Sequence, residues 1–233
     1  MKISYLITCC NEKDTLKRLL EVIGTLVKNS DDEVVVVIDS DVKDNMETTQ
    51  LLADFAGQMP YEIVEKKTCK IIMHGLNNDY GSHKNFGVEK CSGDWIIQLD
   101  GDEMPPTSLT GENLHTLIES NPTVEAYAVP RINDFRGVTE EHAKPWGWRL
   151  TISTTLNRPI VNFPDYQLRL FKNIPAIRFK KRLHERIDGF KTFATLPADE
   201  EYAIYHDKTI EAQISTNIRY NKEFTKNENL GNG

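Results

Sequence analysis

The chain of 233 residues has little from which to build a disulfide scaffold, a zinc knuckle or a membrane span. Its four cysteines, at positions 9, 10, 69 and 91, show no C-x-x-C spacing and read as free thiols. The longest aliphatic run, residues 34–38, falls far short of the ~20 residues that a spanning helix needs, so no span is expected. Residues 1–8 turn polar too soon for a secretory leader and read instead as a first strand, which implies a cytoplasmic protein. An excess of positive charge is missing too: the net charge of −7 argues against a globally basic nucleic-acid binder. Glycine is absent from the loop after the first strand, Thr8-Cys9-Cys10-Asn11-Glu12. A backbone that wraps a triphosphate wants glycine there, which disfavours a nucleotidyltransferase.

What is present is ordinary for a globular protein: 39% apolar and 27% charged residues. The length suits one α/β domain with an appended lobe, at roughly 150 residues per domain. After the first strand, Asn11 can cap a helix whose Leu16, Leu19, Leu20, Ile23 and Val27 recur at helical spacing. The valine run of 33–38 reads as a strand buried on both faces of a parallel sheet. Asp44 can start a second helix bearing Leu51, Leu52 and Phe55, and residues 61–65 and 70–73 read as extended. Ser82 is expected to cap a helix to about Cys91, followed by a strand over 94–99, a helix over 110–120 and a strand over 124–129. Strands alternating with helices imply a mostly parallel sheet with helices on both faces. Beyond 130 the pattern is irregular, with short strands at 168–171 and 177–179 and a last helix over 209–224. The expected organisation is 1–130 for nucleotide binding, 131–226 for the acceptor and catalysis, and a frayed tail over 227–233.

Open α/β sheets bind ligands at the carboxyl ends of their strands, and here those ends are acidic. Asp39 and Asp41 follow the second strand, and Asp100 and Asp102 follow the strand over 94–99. Carboxylates gathered at one rim repel unless they meet a cation or a hydroxyl. Asp100 and Asp102 can direct one carboxylate to a ribose and the other to Mg²⁺ or Mn²⁺, whose remaining positions phosphate oxygens and water fill. One segment is locally basic: between 168 and 191 eight Lys or Arg residues stand against Glu185 and Asp188, a net +6 that suits an anion. Trp146-Gly147-Trp148 can stack on an acceptor sugar or base, or anchor the lobe.

The string from Ser82-His83-Lys84-Asn85 through Ser92-Gly93-Asp94 to Leu99-Asp100-Gly101-Asp102-Glu103 resembles family 2 glycosyltransferases of the GT-A fold. Thr8-x-x-Asn11-Glu12, Asp39 and Leu183-His184-Glu185 match further pieces in order, and Cys10 departs from the aromatic residue often found there. Leu-Asp-x-Asp-Glu, Arg169-Leu170-Phe171 and His-Glu look like the branch containing lipopolysaccharide-core sugar transferases. The resemblance implies a Rossmann-like GT-A sheet with a small irregular acceptor lobe, and sugar transfer from a nucleotide diphosphate donor, a UDP-sugar first. Thr8, Glu12, Asp39, Asp41 and Asp100 would hold the donor, with Lys84 beside its phosphates and backbone donors at Ser82 adding to the anion site. Asp102 and His206 would hold Mn²⁺ or Mg²⁺. Glu185 is the candidate base beside His184, with Asp188 as the other candidate, and this base-plus-metal arrangement resembles that of inverting transferases. Trp146, Trp148 and Arg182 would meet the acceptor, a glycan, a lipid-linked glycan or a modified nucleic acid. The competing readings are a nucleotidyltransferase and a catalytically silent GT-A module that recognises glycan or nucleic acid through the basic segment.

Overall fold

The computed structural model describes residues 1–27, 30–42, 45–58 and 69–224. Asp44, the segment 61–65 and the tail 227–233 lie outside the described residues.

A seven-stranded sheet organises the chain. Its parallel core is β3 (Cys69–His74), β2 (Glu33–Asp39), β1 (Ile3–Cys9) and β4 (Trp95–Asp100), in that spatial order. Beyond β4 lie β10 (Gln167–Lys172), antiparallel to both its neighbours, then β6 (Ala126–Val129) and β13 (Phe193–Thr195). Both faces are dry, which is why β1 and β2 read as continuous apolar runs. On one face Ile3, Tyr5 and Ile7 of β1 meet the apolar stripe of α1 (Lys13–Val27), Leu52 of α2 (Met46–Gln58) and Leu114 and Ile118 of α4 (Gly111–Glu119). On the other, Leu6, Val35 and Val37 meet Val88 of α3 (Tyr80–Lys90) and Phe179 and Ile187 of a hairpin, β11 (Arg178–Lys180) with β12 (Arg186–Asp188).

The helix expected to start at Ser82 starts at Tyr80. Asp79 is the cap: its carboxylate accepts from Ser82 N and Ser82 Oγ, each at 2.9 Å. An acidic cap three residues upstream satisfies the donors that Ser82 was expected to leave for an outside anion. The strand expected over 168–171 is not peripheral. It enters the central sheet between β6 and β4.

The stretch beyond 130 holds a second, five-stranded sheet in the order β5 (Glu103–Met104), β14 (Ile204–Thr209), β7 (Arg131–Arg136), β9 (Pro159–Val161) and β8 (Leu150–Ile152). A short helix, α5 (Glu140–Ala143), precedes β8, and α6 (Ile210–Glu223) follows β14 with Thr209 as its cap. The two sheets meet where β4 leaves the first and β5 enters the second, at Gly101 and Asp102. A Cβ on Gly101 would stand 2.9 Å from that of Cys9, so glycine lets this turn lie against the end of β1.

Candidate active site

Strand register brings the first group together. Thr8 pairs with Asp100 between β1 and β4, and Thr8 Oγ1 donates to Asp100 Oδ1 at 2.8 Å. Gln98, two residues back on the same face of β4, donates to the same oxygen at 3.0 Å. Lys84 reaches in from α3, only 3% exposed, with its ammonium 2.9 Å from Asp100 Oδ1 and 2.6 Å from Glu185 Oε1. Lys84, expected beside the donor's phosphates, is thus a bridge between two carboxylates. Arg169 of β10 approaches Asp100 from the other side, its guanidinium 2.8 Å from Asp100 Oδ2 and 2.7 Å from Glu103 Oε1. Burial would raise the Asp100 carboxyl, but Arg169 and Lys84 hold it well below the usual carboxylate range. Glu185 is therefore tied through Lys84 to the strand tip. The loop that carries it is tied as well, because Tyr80 N donates to Arg182 O at 2.9 Å. A Cβ on Gly81 would meet the carbonyl of Lys181 at 2.4 Å, so the first turn of α3 and this loop touch backbone to backbone.

The second group forms across β5 and β14. His206 pairs in register with Glu103, and its Nε2 stands 3.1 Å from Asp102 Oδ2, with Lys208 Nζ 3.5 Å from the same oxygen. Against burial, His206 and Lys208 bring the Asp102 carboxyl down to about 2. The other imidazole nitrogen, Nδ1, lies 3.0 Å from Asn133 Oδ1. The amide of Asn133 is itself oriented, because its Nδ2 donates to Asp165 at 2.9 Å. A carbonyl oxygen only accepts, so Nδ1 carries the hydrogen and Nε2 is the nitrogen turned to Asp102. With a proton, that nitrogen bonds Asp102; without one, it offers a lone pair to a cation beside the carboxylate.

Glu12 closes the loop after β1, its Oε2 accepting from Cys10 N at 2.7 Å. Burial raises its carboxyl, and Asp102 and Asp100 add to that rise. Asp39 Oδ1 accepts from Asp41 N at 2.9 Å and from Leu76 N at 3.0 Å, and Asp41 Oδ2 accepts from Asn77 N at 2.6 Å. These bonds join the ends of β2 and β3.

Other expected residues lie farther out. Asp188 is exposed at the end of β12, where its Oδ1 accepts from Gly189 N at 2.7 Å. His184 is exposed, and its ring meets Tyr220 of α6 edge-on at 6.4 Å. Arg182 Nε donates to Asn78 O at 3.3 Å, and its guanidinium lies over Phe224. Trp146 stacks on Trp148, Trp148 packs on Phe135, and Phe135 meets His206 edge-on at 5.8 Å. The basic segment does not form one continuous surface. Arg169 is buried in ion pairs and Arg178 donates to the carbonyls of Ile174 and Ile177, while Lys180, Arg182, Arg186 and Lys191 are exposed. All four cysteines are free, as expected.

Arg169, Glu103, Asn133 and Asp165 escaped the sequence reading as members of the site. The available signal was charge inside strand patterns, Arg169 in Gln-Leu-Arg-Leu-Phe-Lys above all, since a buried charge requires a partner.

The family model described as Glycosyl transferase family 2 matches residues 4–186. No curated protein matches the chain. Among solved structures, S. aureus TarS is similar at 16% identity and a TM-score of 0.55, over 98% of this chain and 41% of that one. TarS 1–349 in complex with UDP-GlcNAc gives 16% identity and a TM-score of 0.54 over 98% of this chain and 69% of that chain. The chain therefore spans less than half of the longer TarS structure. Identity this low speaks for a shared fold, the mixed α/β GT-A arrangement with a large, mostly parallel sheet.

Proposed function

The chain belongs to glycosyl transferase family 2, and from that premise we propose that it moves a sugar from a nucleotide diphosphate donor to an acceptor hydroxyl with inversion. The observation that carries this reading is the meeting of Thr8, Asp100, Lys84 and Glu185 with the Asp102–His206 pair at the carboxyl rim of β1 and β4. Glu12, Asp39 and Asp41 flank the nucleoside end of that rim. UDP-sugars are the first donors to try, since TarS 1–349 has been seen with UDP and with UDP-GlcNAc.

The second group suits a hard divalent cation, Mn²⁺ or Mg²⁺. Asp102 supplies a carboxylate and His206 Nε2 an imidazole, and Asn133 holds that ring in the tautomer a ligand needs. No group of three or more His, Cys, Asp or Glu is arranged to hold a metal among the described residues. The other positions would fall to the donor's phosphate oxygens and water. When bound, such a cation offsets the charge that builds on the departing diphosphate.

Glu185 is the base. Its carboxylate takes the proton of the acceptor hydroxyl while that oxygen attacks the anomeric carbon from the side opposite the diphosphate. Lys84 fixes the carboxylate by an ion pair at 2.6 Å. Asp188 has no such tie to Asp100. Trp146 and Trp148 offer an aromatic face to an acceptor glycan, lipid-linked glycan or modified base, and Arg182 a charge to its phosphate. The Leu-Asp-x-Asp-Glu, Arg169-Leu170-Phe171 and His-Glu strings resemble the branch containing lipopolysaccharide-core sugar transferases.

No helix among the described residues is long and apolar enough to cross a membrane. The test of the reading is nucleotide release from a panel of UDP- and GDP-sugars with Mn²⁺. Release that Asp102→Ala abolishes supports it; binding without turnover of any donor contradicts it.

A further inference from the structure

We propose that Arg219, on the last helix, receives the diphosphate of the nucleotide donor; the inference rests on the donor reading above. A diphosphate adds negative charge to a rim already lined by Glu12, Asp39, Asp100, Asp102 and Glu185. One divalent cation offsets part of that charge, and the remainder calls for a cation that a carboxylate has not already neutralised.

The basic side chains next to Asp100 and Asp102 are already paired. Lys84 lies between Asp100 and Glu185, and Arg169 between Asp100 and Glu103. Arg131 joins Glu103 to Asp165, and Lys208 faces Asp102. Arg18 and Arg136 both pair with Asp207.

Arg219 is different. Its guanidinium donates to the hydroxyl of Tyr80 at 2.9 Å, a neutral partner, and no carboxylate stands at ion-pair distance from it among the described residues. Although burial works against the charged form, Tyr80, Tyr220 and Glu223 raise its pKa, so it is charged at any working pH.

Its position fits the role. On one side Tyr80 begins α3, and its backbone bonds the loop that carries Glu185. Tyr220, beside Arg219 on α6, meets Tyr80 edge-on at 6.0 Å and His184 at 6.4 Å. On the other side Arg219 acts on Cys10. Burial, Glu12 and Asp39 push that thiol up to about 12, and Arg219 is the charge that opposes them. The guanidinium is thus bonded to the helix start that holds the loop of Glu185, and its charge reaches the loop after β1. A donor with its nucleoside along Thr8, Glu12 and Asp39 and its reactive carbon near Glu185 would carry its diphosphate past the start of α3, where Arg219 is bonded to Tyr80. The planar fork of an arginine matches two phosphate oxygens at once. Arg219 also lies beyond residue 186, where the match to the family ends, so the contact would be a feature of this chain rather than of the shared motifs.

The test is calorimetric titration of the full chain with UDP and with uridine, in Mn²⁺, for the wild type, Arg219→Gln, Arg219→Lys and Tyr80→Phe. Loss of a charge-assisted bond is expected to weaken UDP by roughly tenfold or more in Arg219→Gln and to leave uridine unchanged. Arg219→Lys should recover part of the loss, and Tyr80→Phe should weaken UDP less than Arg219→Gln. Equal UDP affinity in Arg219→Gln and the wild type would overturn the inference. So would a parallel loss of uridine, which would mark Arg219 as a support for the helix alone. A wild type that binds neither UDP nor another nucleoside diphosphate sinks the donor reading itself, a result separable from both.

Discussion

A carboxylate that takes a proton from a sugar hydroxyl has to be held in place while it keeps a free lone pair. In the proposed reaction Lys84 meets the first need at Glu185 by occupying one oxygen, Oε1, at 2.6 Å. Removing the charge of that carboxylate should affect the chemical step and spare the donor. Glu185→Gln is expected to lower kcat for nucleotide release by at least about 100-fold with little change in donor KM. The same loss in Asp188→Asn, with Glu185→Gln still active, would move the role to Asp188. Asp100, Asp102, Glu185 and His206, which the structure brings to one rim, are legible in the sequence because strand tips and short motifs are local features. The places of Arg169 and Asn133 are not legible there because their partners come from other strands: Arg169 pairs with residues of β4 and β5, and Asn133 orients an imidazole on β14. Lys84 stands out in the sequence as a partner for phosphates, but nothing local announces that its ammonium turns inward to two acids.

The elements that carry these residues are anchored at the opposite end of the sheet by Glu33, the first residue of β2. Its fully buried carboxylate accepts from Ser4 Oγ at 2.6 Å and from Ser92 Oγ at 2.9 Å, and pairs with Lys70 at 3.0 Å and Lys2 at 3.3 Å. This joins β1, β2 and β3 to the turn before β4. Burial would raise the Glu33 carboxyl, but these partners bring it from 4.5 down to about 2. A depressed carboxyl stabilises the fold fully above its ordinary value and loses that contribution as the pH falls toward the folded value. The wild type is expected to exceed Glu33→Gln by roughly 3 kcal/mol near neutrality, with the gap narrowing below pH 4.5. Denaturant unfolding over a pH series would show it; a gap independent of pH would mean the carboxylate is not what the site recognises. The buried role of Glu33 was hidden in a strand that reads simply as apolar and bounded by acids. The extents of α1, β4 and α6 were legible to within a residue or two, because apolar periodicity and polar breaks mark them. The start of α3 was not, because Asp79 and Ser82 compete for the cap and their relative placement decides it.

Over the whole molecule, the site exists because two sheets share one turn. The first sheet is legible from alternating strands and helices, whereas the stretch that forms the second has only the pattern of an irregular lobe. Its strands are short, with Pro130, Pro159 and Pro164 at or near their ends, and carry charged residues such as the half-buried Arg131 and the buried Asp134, which pairing accommodates. That second sheet supplies His206, so Asp102 from one sheet's exit meets a histidine from the other. In the proposed mechanism this junction holds a cation which in turn holds the donor's diphosphate. Titration of UDP into the full chain with and without Mn²⁺ tests it most directly. Mn²⁺ is expected to tighten UDP by about tenfold or more in the wild type and to have no effect in Asp102→Ala. Equal affinity with and without the metal in the wild type, or an undiminished Mn²⁺ effect in Asp102→Ala, would contradict the account.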